Sequence, residues 1–467
     1  MKKTKIVATI GPASDDVETL KKLRQFGMNC ARINTAHGTF ESYQVIIDNV
    51  RSIENIPIMI DIKGPELRVR LDKTLKFDKN QDVTFSTVKS NDKPYFSYDL
   101  LDEVDEGKVM YFDNGQIKAI LKEKRVDQRE CVIEFLTKGA LEPNKGVNIP
   151  GVHLNIPNLS KKDREAVEFA KKNDVEYIAL SFVRNKDDIE NLKALLEGTK
   201  IKIISKIENQ EGVDNIGEIL DASAGVMVAR GDLGVEIAEE KIPYIQKYII
   251  KQANRKSKIS IVATEMLESM IENRRPTRAE ISDVANAVLD GADSVMLSGE
   301  TAIGKYPVEA INSMKKACIE TEDHVKNNIR MNYHETISEE LSKSAYFLAI
   351  RSDTNKVVTL TRSGYTAQLM SRYRMREEVI AVTTDKTTYS QLELVWGVQP
   401  ILINEVPEVA LITNISKKLL SKDVIREDEL VVFFAGVKTL EAEVSNLVEI
   451  HRIHEILEYN RYVNKDQ

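Results

Sequence analysis

The chain has 467 residues, 42% of them hydrophobic and 30% charged, with a net charge of −7 from 66 basic and 73 acidic side chains. That length implies two or three domains with ample material for cores. The acid excess argues against broad electrostatic binding to nucleic acid or an anionic membrane. Cys30, Cys131 and Cys318 lie far apart without zinc-ligand spacing and read as reduced thiols of a cytoplasmic protein; Gly11-Pro12 cuts the first apolar run too short for a signal peptide, and no stretch is long enough to span a bilayer.

In chain order, eight apolar runs read as buried strands: Lys5–Ile10, Cys30–Ile33, Ile56–Ile60, Tyr177–Leu180, Ile201–Ile204, Gly225–Ala229, Ser260–Ala263 and Ser294–Leu297. Continuous rather than alternating apolarity marks strands covered on both faces. Helical patterns lie between them: one capped by Ser14-Asp15, then Phe40–Ile53, one after the capping box Ser160–Asp163, then Asp187–Leu196, Val213–Leu220, Pro243–Ser257, Arg278–Asp290 and Pro307–Asn327. This alternation predicts a (β/α)₈ TIM barrel, whose catalytic groups sit at the carboxyl ends of the strands. The polar tips there are Asn34 with His37, Asp61 with Lys63, Ser181, Lys206 with Glu208, Arg230 with Asp232, Thr264 with Glu265, and Ser298 with Glu300.

The third strand is not followed by its helix until about Ser160. The intervening runs Leu67–Leu71, Leu75–Phe77, Val83–Thr87, Val109–Phe112, Ile117–Leu121 and Val132–Leu136, with the hairpin signal Asp113-Asn114-Gly115, predict an inserted β-rich lid over the strand ends. Beyond about residue 330 the helix Ser338–Arg351 and the strands Lys356–Leu360, Val379–Thr383, Pro400–Ile403 and Leu430–Ala435 predict a third α/β domain. The division expected is 1–66 with 147–330 for the barrel, 67–146 for the lid and 331–467 for a C-terminal regulatory domain.

Lys206 and Glu208 after one strand and Asp232 after the next suit a divalent cation with a phosphate; Mg²⁺ prefers few carboxylates and leaves room for substrate oxygens. The bland alternative is an ion-pair network at the barrel rim. Ala229–Gly234 offers backbone amides beside an acid, and Thr264 suits a carboxylate contact or a proton relay, although a lone threonine there is usually a cap. Gly299–Lys305 approaches a phosphate-binding P-loop, but Tyr306 stands where Ser or Thr is required. His451 and His454 lack further ligands and suit a solvated face. Thr361-Arg362-Ser363-Gly364-Tyr365-Thr366 follows a strand and opens a helix, and reads equally as a phosphate cradle or an ordinary cap.

Together these segments resemble the pyruvate kinase family. The resemblance rests on Thr4–Pro12, Asp61–Glu66, Lys145–Gly151, Ile203–Asn209, Ala229–Gly234, Arg275–Glu280 and Ser298–Ala302, and spans nearly the whole chain. It implies transfer of a phosphoryl group from phosphoenolpyruvate to ADP, giving pyruvate and ATP, in a cytoplasmic homotetramer. By position it assigns Lys206 to the phosphoryl group in flight, Glu208 and Asp232 to Mg²⁺, and Gly231, Asp232 and Thr264 to the substrate carboxylate. Thr264 and Ser298 would belong to the proton relay, Arg32 would touch the transferring phosphate, and Asn34, His37, Arg68, Lys145 and Asp113 would face the nucleotide. A lyase, such as a Mg²⁺-dependent aldolase, would share the carboxylate pair but needs no nucleotide clamp. A non-enzymatic effector-binding protein would not keep Lys206, Glu208, Asp232 and Thr264 together.

Two departures shape the expectations. Of the family's K⁺ ligands, Asn34 and Asp61 are present, the serine position is Ala36, and the threonine position, which supplies a carbonyl, is Ile62; Glu66 is retained. The missing Ala36 hydroxyl predicts weak K⁺ dependence. The effector loop Thr361, Arg362, Ser363, Gly364 and Thr366 is matched, but the Gly-rich loop of bisphosphate users is replaced at Gly436-Val437-Lys438-Thr439, which favours a monophosphate effector or none.

Overall fold

The computed structural model describes residues 2–53, 56–64, 66–152, 154–325, 336–405, 410–436 and 445–463. Pro65, three of the four residues of the substituted effector segment (Val437 to Thr439) and the approach to the third domain therefore lie outside the described residues.

The eight apolar runs close into one parallel barrel. Its strands are β1 Lys5–Thr9, β2 Cys30–Asn34, β3 Ile58–Ile62, β4 Tyr177–Leu180, β5 Lys202–Ile207, β6 Gly225–Ala229, β7 Ile259–Ala263 and β8 Ser294–Leu297. They read as continuous apolar runs because their two faces meet two different cores. One alternating set, including Ile6, Ile33, Ile60, Leu180, Val228 and Leu297, packs under the surrounding helices. The other, including Val7, Cys30, Met59, Ala179, Ile204, Met227 and Met296, fills the barrel interior.

Strand alternation then decides what caps that interior. Two residues beyond Val7, Cys30, Met59, Ala179, Ile204 and Met296 come Thr9, Arg32, Asp61, Ser181, Lys206 and Ser298, on the same inward face. β3 and β5 run further than their apolar patterns predict, so Asp61 and Lys206 are paired within the ladder, Asp61 beside Ala179 and Lys206 beside Met227. Backbone ladder bonds do not require an apolar side chain, and these charges find partners, so polarity at a strand end did not mark where the strand stops.

The helices follow their caps more closely than their apolar patterns. The first begins at Val17 with Asp16 as its cap, because the Ser14 hydroxyl turns to the Gly11 amide instead. The capping box at Ser160 and Asp163 forms on both sides. The stretch 213–220 is two helices, Gln210–Asp214 and Ile216–Ala222, separated at Asn215, whose side chain donates to the Arg184 carbonyl. The last barrel helix ends at Glu322.

The insertion is a seven-stranded sheet running from Val69–Arg70 to Val147–Asn148, two residues past the expected end of the lid at 146, with a two-stranded companion, Leu75–Phe77 with Gly139–Leu141. Its end strands meet through the Arg68–Gly146 bridge, so the sheet closes around Phe85, Phe96, Phe112 and Phe135. The hairpin at 113–116 forms, with Phe112 opposite Ile117 and left-handed backbone at Asp113, Asn114 and Gly115. The short strands Tyr95–Phe96, Gly139–Leu141 and Val147–Asn148 were not predicted, being too brief for a period to register.

The sheet of the third domain has five strands, the four predicted ones, which run parallel, and an antiparallel edge, Leu447–Arg452, that was missed. That edge alternates polar and apolar side chains and is only half buried. Tyr346, Met370, Leu394 and Val395 of this domain belong to the same apolar cluster as the barrel interior, so the domain plugs the barrel's lower end. Among the described residues no helix is long and apolar enough to cross a membrane.

Candidate active site

At the upper end of the barrel a chain of charges runs across four strands. Arg32 donates from Nε to Asp61 Oδ2 at 2.8 Å and from Nη1 to Thr9 Oγ1 at 2.8 Å. Asp61 Oδ1 lies 3.4 Å from Lys206 Nζ, which donates to Ser181 Oγ at 2.7 Å and sits 2.9 Å from Glu208 Oε1. All four charged side chains are buried. Burial alone would lower the Lys206 ammonium, but Asp61 and Glu208 outweigh it and raise its proton affinity above the usual lysine value. Burial likewise pushes the Asp61 carboxyl up, while Arg32 and Lys206 together hold it below the ordinary carboxylate range.

Glu208 differs. Burial pushes its carboxyl well up; Lys206 pulls it back, and Asp232 pushes it further. Its Oε2 accepts the Phe182 amide at 2.7 Å, but buried Oε1 receives no well-aligned hydrogen bond. A carboxylate this deep beside a second acid is costly to ionise unless another cation arrives. Among the described residues no three His, Cys, Asp or Glu side chains cluster to enclose a metal. Glu208 with Asp232 is therefore an open, all-oxygen pair, a donor set that fits Mg²⁺ completed by ligand oxygens.

The opposite wall comes from β6, β7 and β8. Thr264 and Glu265 hold φ of +67° and +54°. Such backbone costs on the order of 1–3 kcal/mol per residue and persists only where the surroundings impose it. Here Arg230 imposes it: Nη2 donates to the carbonyls of Thr264 at 2.7 Å and Glu265 at 3.3 Å, while Nη1 is held by Asp283 at 2.7 Å. The Gly231 amide donates to Thr264 Oγ1 at 2.8 Å, so one of the amides expected to face a carboxylate is engaged by the threonine expected to act with it. Ser298 is anchored through its amide to Glu300 Oε2 at 2.7 Å, which leaves its buried hydroxyl without a hydrogen-bond partner among the described residues. Beside β3, Gly64 at φ +69° passes so close to β4 that a Cβ would lie 2.7 Å from the Ser181 carbonyl oxygen.

The nucleotide-side residues are spread over two bodies. On the lid, Lys145 Nζ pairs with Asp113 Oδ1 at 2.8 Å and Arg68 pairs with Glu66. On the barrel, His37 is exposed at the rim and Asn34 turns its Oδ1 to the Ala36 amide at 3.0 Å. Between lid and strand ends lies an open cleft, bordered by Glu66, Asn114, Asn148, Phe182, Asp232 and Glu236.

The K⁺ donor set fits poorly. Asn34 Oδ1 is engaged as described, both Asp61 oxygens face Arg32 and Lys206, the Ile62 carbonyl accepts the Ser181 hydroxyl at 2.8 Å, and Ala36 brings no side-chain oxygen. The Thr361–Thr366 loop turns its two threonine hydroxyls inward and leaves Ser363 and Tyr365 exposed. Thr361 Oγ1 accepts the Gly364 amide at 2.9 Å, Thr366 Oγ1 bonds Ser445 Oγ at 2.8 Å, and the Arg362 and Ser363 carbonyls accept Thr388 Oγ1 and Lys202 Nζ at 2.6 and 3.0 Å.

Sequence reasoning gave no role to Ser181, the bridge between Lys206 and the Ile62 carbonyl, nor to Thr9 or Glu300, although period-two alternation from Val7 and Ala179 points to the first two. Nothing local signals that Arg230 would hold the strained turn.

The pyruvate kinase barrel-domain model matches residues 1–311, and that of the pyruvate kinase alpha/beta domain matches residues 339–451. The chain belongs to the pyruvate kinase family. It is 41% identical over 486 aligned positions to a pyruvate kinase of Sporosarcina psychrophila, covering 100% of this chain and 83% of that one. A Staphylococcus aureus pyruvate kinase is 40% identical, covering 97% of this chain and 81% of its own. Among solved structures, a pyruvate kinase from Cryptosporidium parvum superposes with a TM-score of 0.89 at 34% identity, covering 97% and 96% of the two chains. The enzyme's reaction is thus phosphoryl transfer from phosphoenolpyruvate to ADP, giving pyruvate and ATP in glycolysis.

Proposed function

We propose that the buried chain Arg32–Asp61–Lys206–Glu208 is where the phosphoryl group crosses. The observation that carries this reading is Lys206, kept charged at the barrel centre by Asp61 and Glu208. A fixed ammonium there stabilises charge spread over the phosphoryl oxygens without reorganising during transfer. Arg32, oriented by Asp61 and Thr9, meets the same group from β2. Glu208 and Asp232 would hold Mg²⁺; the Glu208 oxygen lacking a well-aligned hydrogen bond and the cost of its ionisation support this. When bound, that ion offsets negative charge developing on the enolate as the phosphoryl group departs.

The Gly231 and Asp232 amides and the Thr264 hydroxyl receive the substrate carboxylate, which replaces the present bond from Gly231 to Thr264. Once the phosphoryl group has moved to an ADP β-phosphate oxygen, the enolate carbon needs a proton. Thr264, positioned by Arg230, and Ser298, whose hydroxyl has no hydrogen-bond partner among the described residues, carry it. Asn34, His37, Arg68, Lys145 and Asp113 face the nucleotide, with the lid bringing the last three.

The engaged donors around Asp61 and Ile62 support weak K⁺ dependence. The inward-turned hydroxyls of Thr361 and Thr366 favour a monophosphate effector or none; calorimetric titration with sugar phosphates and AMP tests this, and tight bisphosphate binding refutes it. A cytoplasmic homotetramer rests on membership of the family. The site assignment is tested by pyruvate release from phosphoenolpyruvate, ADP and Mg²⁺. A Lys206→Met variant is expected to lose at least about 10²–10³ in kcat, the scale of removing one preorganised charge donor; turnover equal to wild type overturns the assignment.

A further inference from the structure

The lid and the metal-binding wall share a short helix. Arg230–Glu236 starts at the end of β6 and carries Gly231 and Asp232 in its first turn. Its first residues are tied to the β7 turn through Arg230 and the Gly231 amide. Its last residue, Glu236, accepts a hydrogen bond at Oε1 from Asn148 Nδ2 at 2.7 Å. Asn148 ends the last lid strand and pairs with Tyr111, beside the hairpin that bears Asp113. The tip of that hairpin also reaches the helix, since a Cβ on Gly115 would lie 3.7 and 3.8 Å from the two methyls of Val235. Glu236 is held at a cost, because burial pushes its carboxyl up and Asp232 adds to this, while Asn148 relieves it.

We propose that Asn148 and Glu236 form a latch that couples the position of the lid to the placement of Asp232, so that the nucleotide side and the substrate side of the cleft fill cooperatively. Glu236 acts as a positioning residue. The inference rests on the reading above, in which Asp232 meets Mg²⁺ and the lid faces the nucleotide. The helix is seven residues long, so Asp232 and Glu236 stand four positions apart, on neighbouring turns of one face. Moving Asn148 with the lid therefore shifts the backbone that presents Asp232, and by reciprocity a ligand that fixes Asp232 draws the lid into place.

The test uses ligands that cannot react. ADP is titrated calorimetrically into the full chain with Mg²⁺, with and without saturating pyruvate, and the ratio of the two dissociation constants gives the coupling. Wild type is expected to bind ADP at least about fivefold more tightly when pyruvate is present, the lower end of ordinary coupling. Asn148→Ala is expected to bring that ratio to within about twofold of one, Glu236→Gln, which keeps an acceptor, to preserve it, and Asn148→Ala with Glu236→Ala to do no more than Asn148→Ala alone. A purely structural loss would weaken both titrations and leave the ratio unchanged. An unchanged ratio in Asn148→Ala overturns the latch, as does a wild-type ratio of one. If wild type binds neither ADP nor pyruvate, the site assignment falls first and the latch with it. Asn148 lies on the lid, so its reading stands even if Glu236→Ala fails to fold.

Discussion

The two ends of the barrel bury comparable charge and treat it differently. At the lower end Asp293 accepts hydrogen bonds from the Ser260 amide at 3.0 Å, Arg374 Nη2 at 2.9 Å and the Trp396 amide at 3.1 Å. Arg374 also donates to the Gly291 carbonyl at 2.8 Å and Asn254 Oδ1 at 2.6 Å, and Lys5 donates to the Val398 carbonyl at 2.7 Å. These bonds join the barrel to the domain that plugs it. At the upper end Arg32, Asp61, Lys206 and Glu208 form one chain of ion pairs, but Glu208 Oε1 faces only the poorly aligned Lys206 ammonium at 2.9 Å, and Ser298 Oγ is buried without a hydrogen-bond partner among the described residues. Asp293 and Arg374, each held by several partners, form a structural joint. A buried carboxylate whose ionisation a second acid opposes, beside backbone held at positive φ by Arg230, is a place prepared for something else.

The contrast can be broken from either side. The largest effect expected is on turnover: Lys206→Met, with its loss of about 10²–10³ in kcat, should cost less stability than Arg374→Ala, because Arg32 stays beside Asp61 and the raised Glu208 carboxyl can take up a proton; an equal stability loss would merge the two ends into one structural network. Next comes stability. Arg374→Ala strands Asp293 and should cost about 3–5 kcal/mol in denaturant unfolding, with kcat retained where the variant is folded; a loss below about 1 kcal/mol removes the joint. The smallest effect concerns the ion next to Asp61. Replacing K⁺ by a bulky organic cation should lower kcat less than tenfold, under about 1.4 kcal/mol, and a collapse in rate would sink the reading of Ala36.

Much of this was legible from residues. Continuous apolar runs announced strands covered on both faces, and the gap after β3 announced an inserted lid. The structure supplies what pattern cannot carry. β5 runs past Ile204 through Lys206 because Asp61 and Glu208 compensate the charge, a fact that depends on strands far apart in sequence. The Leu447–Arg452 edge was invisible because its half-exposed alternation looks like surface. Ser181 looked like a strand end until alternation from Ala179 placed it beside Lys206. The bond from Gly231 to Thr264 and the Arg230 hold on the strained turn join residues more than thirty positions apart and leave no local trace.

The most direct test of the central claim, that the upper end holds charge for its ligand rather than for the fold, is the thermal midpoint of Glu208→Gln with and without Mg²⁺. Burial raises the Glu208 carboxyl in the folded chain, so above the ordinary glutamate range the folded state binds more protons than the unfolded one, and stability falls as pH rises. The amide abolishes that slope. The account predicts a metal-free midpoint at or above that of wild type from neutral to mildly alkaline pH, and loss of the rise that Mg²⁺ gives wild type by mass action. A metal-free midpoint as far below wild type as that of Arg374→Ala would show that Glu208 is another structural joint and contradict the account.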